Sequence, residues 1–281
     1  MKRFIALVIL FFVYTGIPAQ EKAPDFGWKT SAIGKVNVTQ SQFDNWSQGG
    51  ENTLAWQGLF EATVTNEQER FLWKNYLKMS YGQNKIGSGS LKKTTDEIVL
   101  ESVLNYKTGW TADAYLALTA KTQFSAGYQY PADAPAVEIS NFLDPGYFTQ
   151  EVGLSWNPSK QFSARMGAAF KETVADRFAS RYSDDPATPS LEKMRAEPGG
   201  SASFLFNGNI HPNIFLKSRL DMFANFKGIR NVDVDWDNTF SSQITKFISV
   251  DLNIRIFYDR DISPKRQLKQ TLGLGITYTF L

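Results

Sequence analysis

The sequence has no cysteine, so neither a disulfide nor a thiolate metal site can form. A dominant charge is missing as well, because 30 basic residues are matched by 28 acidic ones. The two signs are mixed along the chain, and no basic patch typical of nucleic-acid binding stands out. We therefore expect neither a nucleic-acid partner nor a metal or other cofactor.

Long hydrophobic runs are also scarce. The one clear run is residues 4–13, preceded by Lys2 and Arg3 and followed by small or turn-forming residues up to Ala19. About ten residues is half of what a membrane-spanning helix needs, and this layout is typical of a secretory signal peptide. We expect residues 1–20 to be removed and residues 21–281 to form a single exported domain.

The remaining chain is rich in aromatic residues (14% of the sequence) and alternates in polarity with a period of two. In residues 250–258, apolar side chains at even positions alternate with Asp251, Asn253 and Arg255. Such a segment forms a strand with one apolar and one polar face. Twelve segments follow this rule: residues 32–38, 54–62, 71–81, 98–106, 112–120, 148–156, 162–170, 202–210, 216–222, 232–240, 250–258 and 272–280.

The lengths of these segments and of their connections favour a membrane barrel over a soluble sandwich. Many runs reach the 9 to 11 residues that a tilted transmembrane strand needs, whereas sandwich strands usually have five or six. Long and short connections alternate, as in outer-membrane barrels. We predict an all-β, closed, antiparallel up-and-down barrel of about twelve strands in the lipid of the cell outer membrane. Both termini should be periplasmic, with residues 175–198 as the longest extracellular loop.

The polar faces should line the lumen with charges of both signs. A twelve-stranded barrel is intermediate between side-chain-filled barrels and open pores. We therefore predict a narrow or plugged channel for small solutes; the alternative is a non-conducting scaffold that binds an outer-membrane protein through its extracellular loops. The predicted lining residues are Lys35, Glu61, Glu101, Lys121, Glu151, Arg165, Lys171, Arg219, Asp221, Asp251 and Arg255.

Four acidic residues, Asp221, Asp233, Asp235 and Asp237, lie close together in the predicted strands. Three of them recur at alternate positions, about 6.6 Å apart, which is too far for one compact cation site without help from neighbouring strands. We expect an ionic lining instead, paired with Lys217, Arg219 and Arg255 on adjacent strands.

The first predicted loop contains two aromatic residues and two glycines: Phe43, Trp46, Gly49 and Gly50. Exposed aromatics can stack on ligands or insert into a partner, and glycines permit unusual backbone angles. The loop either binds a ligand or partner or folds into the barrel mouth, and the sequence does not separate these two hypotheses.

An enzyme is a distant third hypothesis. An outer-membrane lipid hydrolase would need a base beside its nucleophile. The single histidine, His211, falls in a predicted periplasmic turn, roughly 30 Å along a strand from Ser201 and Ser203. We therefore predict no catalytic residues.

Several short motifs resemble a known family. Residues 37–52 contain Asn37, Val38, Thr39, Gln40, Phe43, Asn45, Trp46, Gly49, Gly50, Glu51 and Asn52. Later motifs are QFSAGYQY (123–130), ISNFL (139–143), SRLDMFA (218–224), VDVDW (232–236) and YDRDI (258–262). In this order they resemble a Bacteroidota family known only as domain of unknown function 3078. The resemblance implies an outer-membrane barrel of Bacteroidota and supplies no activity and no catalytic residue.

Overall fold

The computed structural model describes residues 26–45, 47–185, 188–229 and 231–280. The expected signal peptide (1–20) and Trp46 lie outside these ranges. Within them, no helix has the length and apolar character required to cross a membrane.

Of the fourteen strands in these ranges, twelve form one closed antiparallel barrel, and the other two form a small separate hairpin. In chain order the elements are β1 (Gly27–Ser41), β2 (Thr53–Glu67), β3 (Phe71–Ile86), β4 (Lys92–Tyr106), β5 (Asp113–Thr122), β6 (Gly127–Gln129), β7 (Val137–Ser140), β8 (Gly146–Trp156), β9 (Phe162–Val174), α1 (Ala179–Tyr182), β10 (Met194–His211), β11 (Ile214–Asn225), β12 (Val232–Gln243), β13 (Ile248–Tyr258) and β14 (Gln267–Thr279).

The barrel is a meander in which each strand pairs with the next, and β5 pairs directly with β8. It closes between β1 and β14, where Ile33 lies opposite Thr279 and Val38 opposite Leu274. Each of the twelve predicted segments falls in a different barrel strand and extends at most one residue beyond its ends, so the predicted fold and strand number are confirmed. The hairpin β6–β7 and the helix α1 were not predicted.

One topological prediction was wrong. The longest connection between barrel strands is residues 123–145, which includes the hairpin β6–β7, and not the connection after β9. The connection after β9 is limited to residues 175–193, because β10 already begins at Met194. Pro198 lies inside β10, where it is paired with Phe170 of β9. Backbone pairing extends beyond the apolar stripe from which the strand was predicted, so the loop is shorter than expected.

The two ends of the barrel differ in their connections. We call one the long-loop end, since it has the three longest connections, residues 42–52, 123–145 and 175–193. The opposite, short-turn end has tight connections such as residues 68–70 and 212–213. β1 begins and β14 ends at the short-turn end, so both ends of the sheet lie on the same side.

The outer face of the barrel is apolar and exposed, with aromatic residues near both ends. Leu154 and Ile276 are 58% and 60% exposed. Near the short-turn end the rings of Trp28 and Trp73 lie 6.0 Å apart, and at the other end Trp56 and Tyr81 lie 6.0 Å apart. Trp73 and Tyr81 of β3 are separated by about 26 Å along the strand, which at a tilt of about 40° is about 20 Å along the barrel axis. Transmembrane barrels have an apolar band about 25 Å tall between two aromatic girdles, so the spacing of these rings is of the right order.

Candidate functional site

The interior of the barrel is charged. The eleven residues predicted for the lining lie on the inner face, and ten of them form ion pairs with other inner-face residues. The eleventh, Glu151, accepts a hydrogen bond from the Tyr115 hydroxyl at 3.1 Å. Lys35 and Asp251 pair only along one wall, at 2.6 Å, because their strands are separated by β14 alone.

Ten charged side chains join into one continuous series that alternates in sign, which we call the lumen ion chain. Its members in order are Asp237, Lys78, Glu97, Arg255, Asp235, Lys121, Asp221, Arg219, Glu101 and Arg165. The contacts from Asp237 as far as Glu101 span 2.7 to 3.8 Å, and Arg165 also pairs with Glu101. Five acids and five bases leave the lumen ion chain with no formal net charge.

The lumen ion chain crosses the barrel from wall to wall. Glu97 of β4 pairs with Arg255 of β13 at 2.9 Å, and Lys121 of β5 pairs with Asp235 of β12 at 3.5 Å. These strands lie on opposite sides of the twelve-stranded ring. Arg219 and Glu101 are near the middle of their strands, whereas Lys121 and Asp235 lie nearer the long-loop end, so the ion chain divides the lumen between mid-height and the long-loop end.

Arg219 is the best-connected cation of the series. Its Nε donates to Asp221 at 2.7 Å, and its two terminal nitrogens donate to Glu101 at 2.7 and 3.1 Å. A forked contact of this kind combines charge with fixed geometry. Glu101, with an 8% exposed side chain, accepts from Arg165 as well. Because charges buried in this way are costly unless paired, the partners hold one another in place.

A second crossing lies on the short-turn side of the lumen ion chain. The Glu61 carboxylate of β2 accepts hydrogen bonds from the Tyr76 hydroxyl of β3 and the Lys217 ammonium of β11. Nearby Lys74 is exposed toward the short-turn end. The lumen therefore narrows at two successive levels of paired charges.

The acidic residues of β11 and β12 form an ionic lining, and one of the three expected cation partners, Lys217, was wrong. Asp235 pairs with Arg255 at 2.7 Å, as expected. Lys217, in contrast, pairs with Glu61, and the carboxylates bound by Arg219 are those of Glu101 and Asp221. Long side chains reach across the lumen instead of to the adjacent β12. No group of acidic or histidine residues suited to a metal ion occurs in the described ranges.

Lys78 and Glu97 belong to the lumen ion chain but were not among the predicted lining residues. Both residues could have been predicted from the alternation of faces along a strand. Glu97 is four residues before Glu101 on β4, and Lys78 is two residues after Tyr76 on β3, so each points to the inner face.

A vestibule of about 540 Å³ occupies the long-loop half of the lumen. Its floor includes Lys121, Arg219 and Arg255 of the lumen ion chain, and its walls include Tyr147 and Phe223. Tyr182 of α1 also lines it, and burial raises the pKa of this phenol. The vestibule therefore combines a charged floor with partly aromatic walls.

Two buried carboxylates fix the longest connections beside the vestibule: Asp144 joins residues 123–145 to residues 176–178, and Asp96 of β4 holds residues 124 and 125. Asp144 accepts hydrogen bonds from the backbone N–H groups of Asp176, Arg177 and Phe178 at 3.0, 2.9 and 3.4 Å. Asp96 accepts from the N–H groups of residues 124 and 125 at 2.7 and 3.0 Å. Asp144 thus ties residues 123–145 to the described part of the next long connection, residues 175–185 and 188–193, and we call these residues together the loop cap.

Replacing Asp144 with alanine should loosen the loop cap. Three backbone donors lose their acceptor, at a cost of about 1–3 kcal/mol for each that stays buried and unpaired. Limited proteolysis of the folded barrel should then cut within residues 175–193 much faster than in the unmodified protein. Asp133→Ala, an exposed position in the same cap, is the matched control and should leave the cleavage rate unchanged. Equal protection of both variants would contradict the role of Asp144.

The loop residues singled out from the sequence lie apart from the vestibule. The Phe43 N–H donates to the Asn52 side chain at 2.6 Å. Gly50 adopts φ +145°, and a Cβ there would lie 2.8 Å from the Phe43 ring, so the ring packs against this glycine. Phe43, Gly49 and Gly50 do not line the vestibule in the described part of the chain. His211 ends β10 at the short-turn end, ten positions from Ser201.

Residues 38–128 match the model of a family described as a protein of unknown function, DUF3078. A comparison with curated proteins gave no match. Among solved structures, an outer membrane channel from Pseudomonas putida F1 is 13% identical, with a TM-score of 0.42, and the alignment covers 94% of this chain and 99% of that one. The translocator domain of the autotransporter NalP from Neisseria meningitidis is 11% identical, with coverages of 92% and 90% and a TM-score of 0.41. The NanC porin is 10% identical, with coverages of 89% and 100% and a TM-score of 0.41. Function is therefore inferred from the lumen of this chain and not from these proteins.

Proposed function

We propose that this protein is an outer-membrane barrel that forms a narrow passage for small solutes and is closed at rest by the lumen ion chain. The observation that carries the proposal is the unbroken series of ion pairs from β3–β5 to β11–β13. Paired charges of long side chains cross the lumen, and a vestibule of about 540 Å³ lies on their long-loop side.

The membrane location follows from the two faces of the sheet. A closed barrel satisfies its backbone hydrogen bonds internally, which is the condition for spanning a bilayer with strands. The exposed apolar outer face, bounded by aromatic pairs, suits hydrocarbon, and the charged inner face does not. In this orientation the long-loop end is extracellular, so the vestibule faces the outside of the cell.

The nature of the partition supports a passage that opens. It consists of side chains with many rotatable bonds, and ions or solutes that reach the vestibule can compete for its charges. Lys121, at 3.5 and 3.8 Å from its two carboxylates, makes the loosest contacts of the lumen ion chain. Rearrangement of such side chains requires no movement of the strands.

A non-conducting scaffold is the second candidate. The ordered loop cap supports it, because Asp144 and Asp96 give the cap a defined shape on the extracellular side. A partner could dock on this cap without any solute entering the lumen.

Current recordings of the unmodified protein in planar bilayers test the proposal. We expect small or brief current steps, together with slow entry of small solutes in liposome-swelling assays. A large and steady conductance would contradict closure by the lumen ion chain and indicate a general diffusion pore. A barrel that stays silent, even after the lumen ion chain is broken, would favour the scaffold.

A further inference from the structure

The vestibule contains a site whose chemistry suits an ammonium group. The Lys171 ammonium lies 2.6 Å from Asp233, 3.3 Å from Asp259 and 3.9 Å from Glu197. It also lies 5.2 Å from the centre of the Phe223 ring, within the range of a cation–π contact. Three carboxylates and one aromatic face thus surround a single cation, and we call this set the Lys171 cage.

The Lys171 cage has more acid than base. Arg195 is the second cation of the cluster, 3.3 Å from Glu197 and 3.2 Å from Asp261. Four carboxylates and two cations among the described residues leave a formal charge of −2 in the cluster. The lumen ion chain below is balanced, so it does not compensate this surplus. Since Lys171, Asp233 and Asp259 line the vestibule, the surplus negative charge faces the space that a solute would enter.

An unsatisfied polar atom of the vestibule wall gives a second, independent indication of a ligand. Ser201 lines the vestibule and is 8% exposed, and within the described ranges its hydroxyl has no hydrogen-bond partner. Ser201 is paired in register with Phe223, whose ring faces the Lys171 ammonium. Buried polar groups are normally satisfied, so this hydroxyl is available to accept a hydrogen bond from a ligand in the vestibule.

We propose that the vestibule binds small organic cations carrying a primary ammonium group, and that Lys171 is an intramolecular stand-in for that group. An incoming ammonium takes the place of the Lys171 Nζ among Asp233, Asp259 and Glu197, while its hydrocarbon part lies against Phe223 and Tyr147. Lys171 swings away on its flexible side chain and keeps its charge. This inference rests on the proposed function, because it assigns a solute class to the same vestibule.

Isothermal titration calorimetry of the full barrel in detergent micelles tests this assignment with three probes of similar length. They are 1,5-diaminopentane, the neutral 1,5-pentanediol and the dianion glutarate. We expect binding of the diamine, and no measurable binding of the diol or the dianion. Equal binding of diamine and diol would overturn the assignment, since it would show that charge does not select the ligand.

Two substitutions with opposite expected effects separate recognition from simple stabilisation. Lys171→Met removes the internal competitor, so diamine affinity should rise about tenfold or more. Asp233→Asn removes a charge-assisted contact, so affinity should fall about tenfold or more. Lys35→Met, outside the vestibule, is the matched control and should leave diamine binding unchanged. Heat-modifiable migration in gels checks that each variant is a folded barrel.

Weaker or unchanged diamine binding in folded Lys171→Met would overturn the stand-in role. Should that variant not fold, Lys171→Gln keeps a polar contact without the charge and makes the same prediction. Conductance is recorded separately, so the two proposals fail in different ways. A barrel that conducts but does not bind the diamine refutes this inference alone, whereas a barrel that binds the diamine but stays silent even after the lumen ion chain is broken refutes the passage.

Discussion

Replacing Arg219 with alanine should raise the single-channel conductance several-fold and make the lumen cation-selective. Arg219 connects Glu101 on one wall to Asp221 on the other through three hydrogen bonds. Its removal deletes a long side chain from the middle of the lumen ion chain and leaves five carboxylates with four cations. Water and cations should enter where the guanidinium stood, because selectivity in such pores follows the charges that line them. Bilayer recordings with a salt gradient measure both conductance and reversal potential.

The barrel should tolerate this change, because Glu101 keeps Arg165 and Asp221 keeps Lys121. Lys35→Ala is the matched control. It breaks the equally close ion pair with Asp251, at 2.6 Å, which lies along one wall and does not cross the lumen. We expect little change in conductance from the control. Equal effects of the two variants would mean that closure does not depend on the lumen ion chain.

Replacing Leu252 with arginine should destabilise the membrane-inserted barrel by about 2–4 kcal/mol, the cost of an arginine on the lipid face near the midplane. Leu252 is near the middle of β13, on the outer face, and its register partners are Phe240 of β12 and Leu272 of β14. An arginine there would be surrounded by hydrocarbon. Reversible unfolding of the barrel from lipid vesicles by denaturant measures the change in free energy.

The neighbouring variant Asn253→Arg is the control, since it places the same side chain at the same depth on the opposite face. The Asn253 amide donates to Asp237 at 2.5 Å, so an arginine at this position meets a carboxylate. We expect a clearly smaller loss of stability. A similar loss in both variants would indicate that the faces of β13 are assigned wrongly.

The barrel was predictable from the sequence because its two faces meet different surroundings. Alternation in residues 250–258, for example, requires that Leu252 and Asp251 point in opposite directions, whatever the rest of the chain does. The length of the alternating segments and their even number then predict a closed membrane barrel with both ends of the sheet on the same side. The twelve strands follow from these local patterns with errors only at their ends.

The pairing of charges and the loop cap were not predictable in the same way. Local parity places Lys217 and Arg219 on the inner face, but the carboxylate that each one meets depends on the width of the lumen. Asp144 is a further example. Its three backbone donors come from residues 176–178, more than thirty positions along the chain, and no sequence period relates the two segments.

Site-directed thiol labelling tests the closure of the lumen most directly, and the absence of native cysteine makes it clean. Gln267 lines the vestibule, whereas Lys74 is exposed on the short-turn side of the lumen ion chain. A charged, membrane-impermeant thiol reagent added on the long-loop side should label Gln267→Cys quickly and leave Lys74→Cys unlabelled. The same reagent added on the short-turn side should give the reverse. Adding Arg219→Ala to each variant should abolish this sidedness. Rapid labelling of Lys74→Cys from the long-loop side, with Arg219 intact, would show an open lumen and contradict closure by the lumen ion chain.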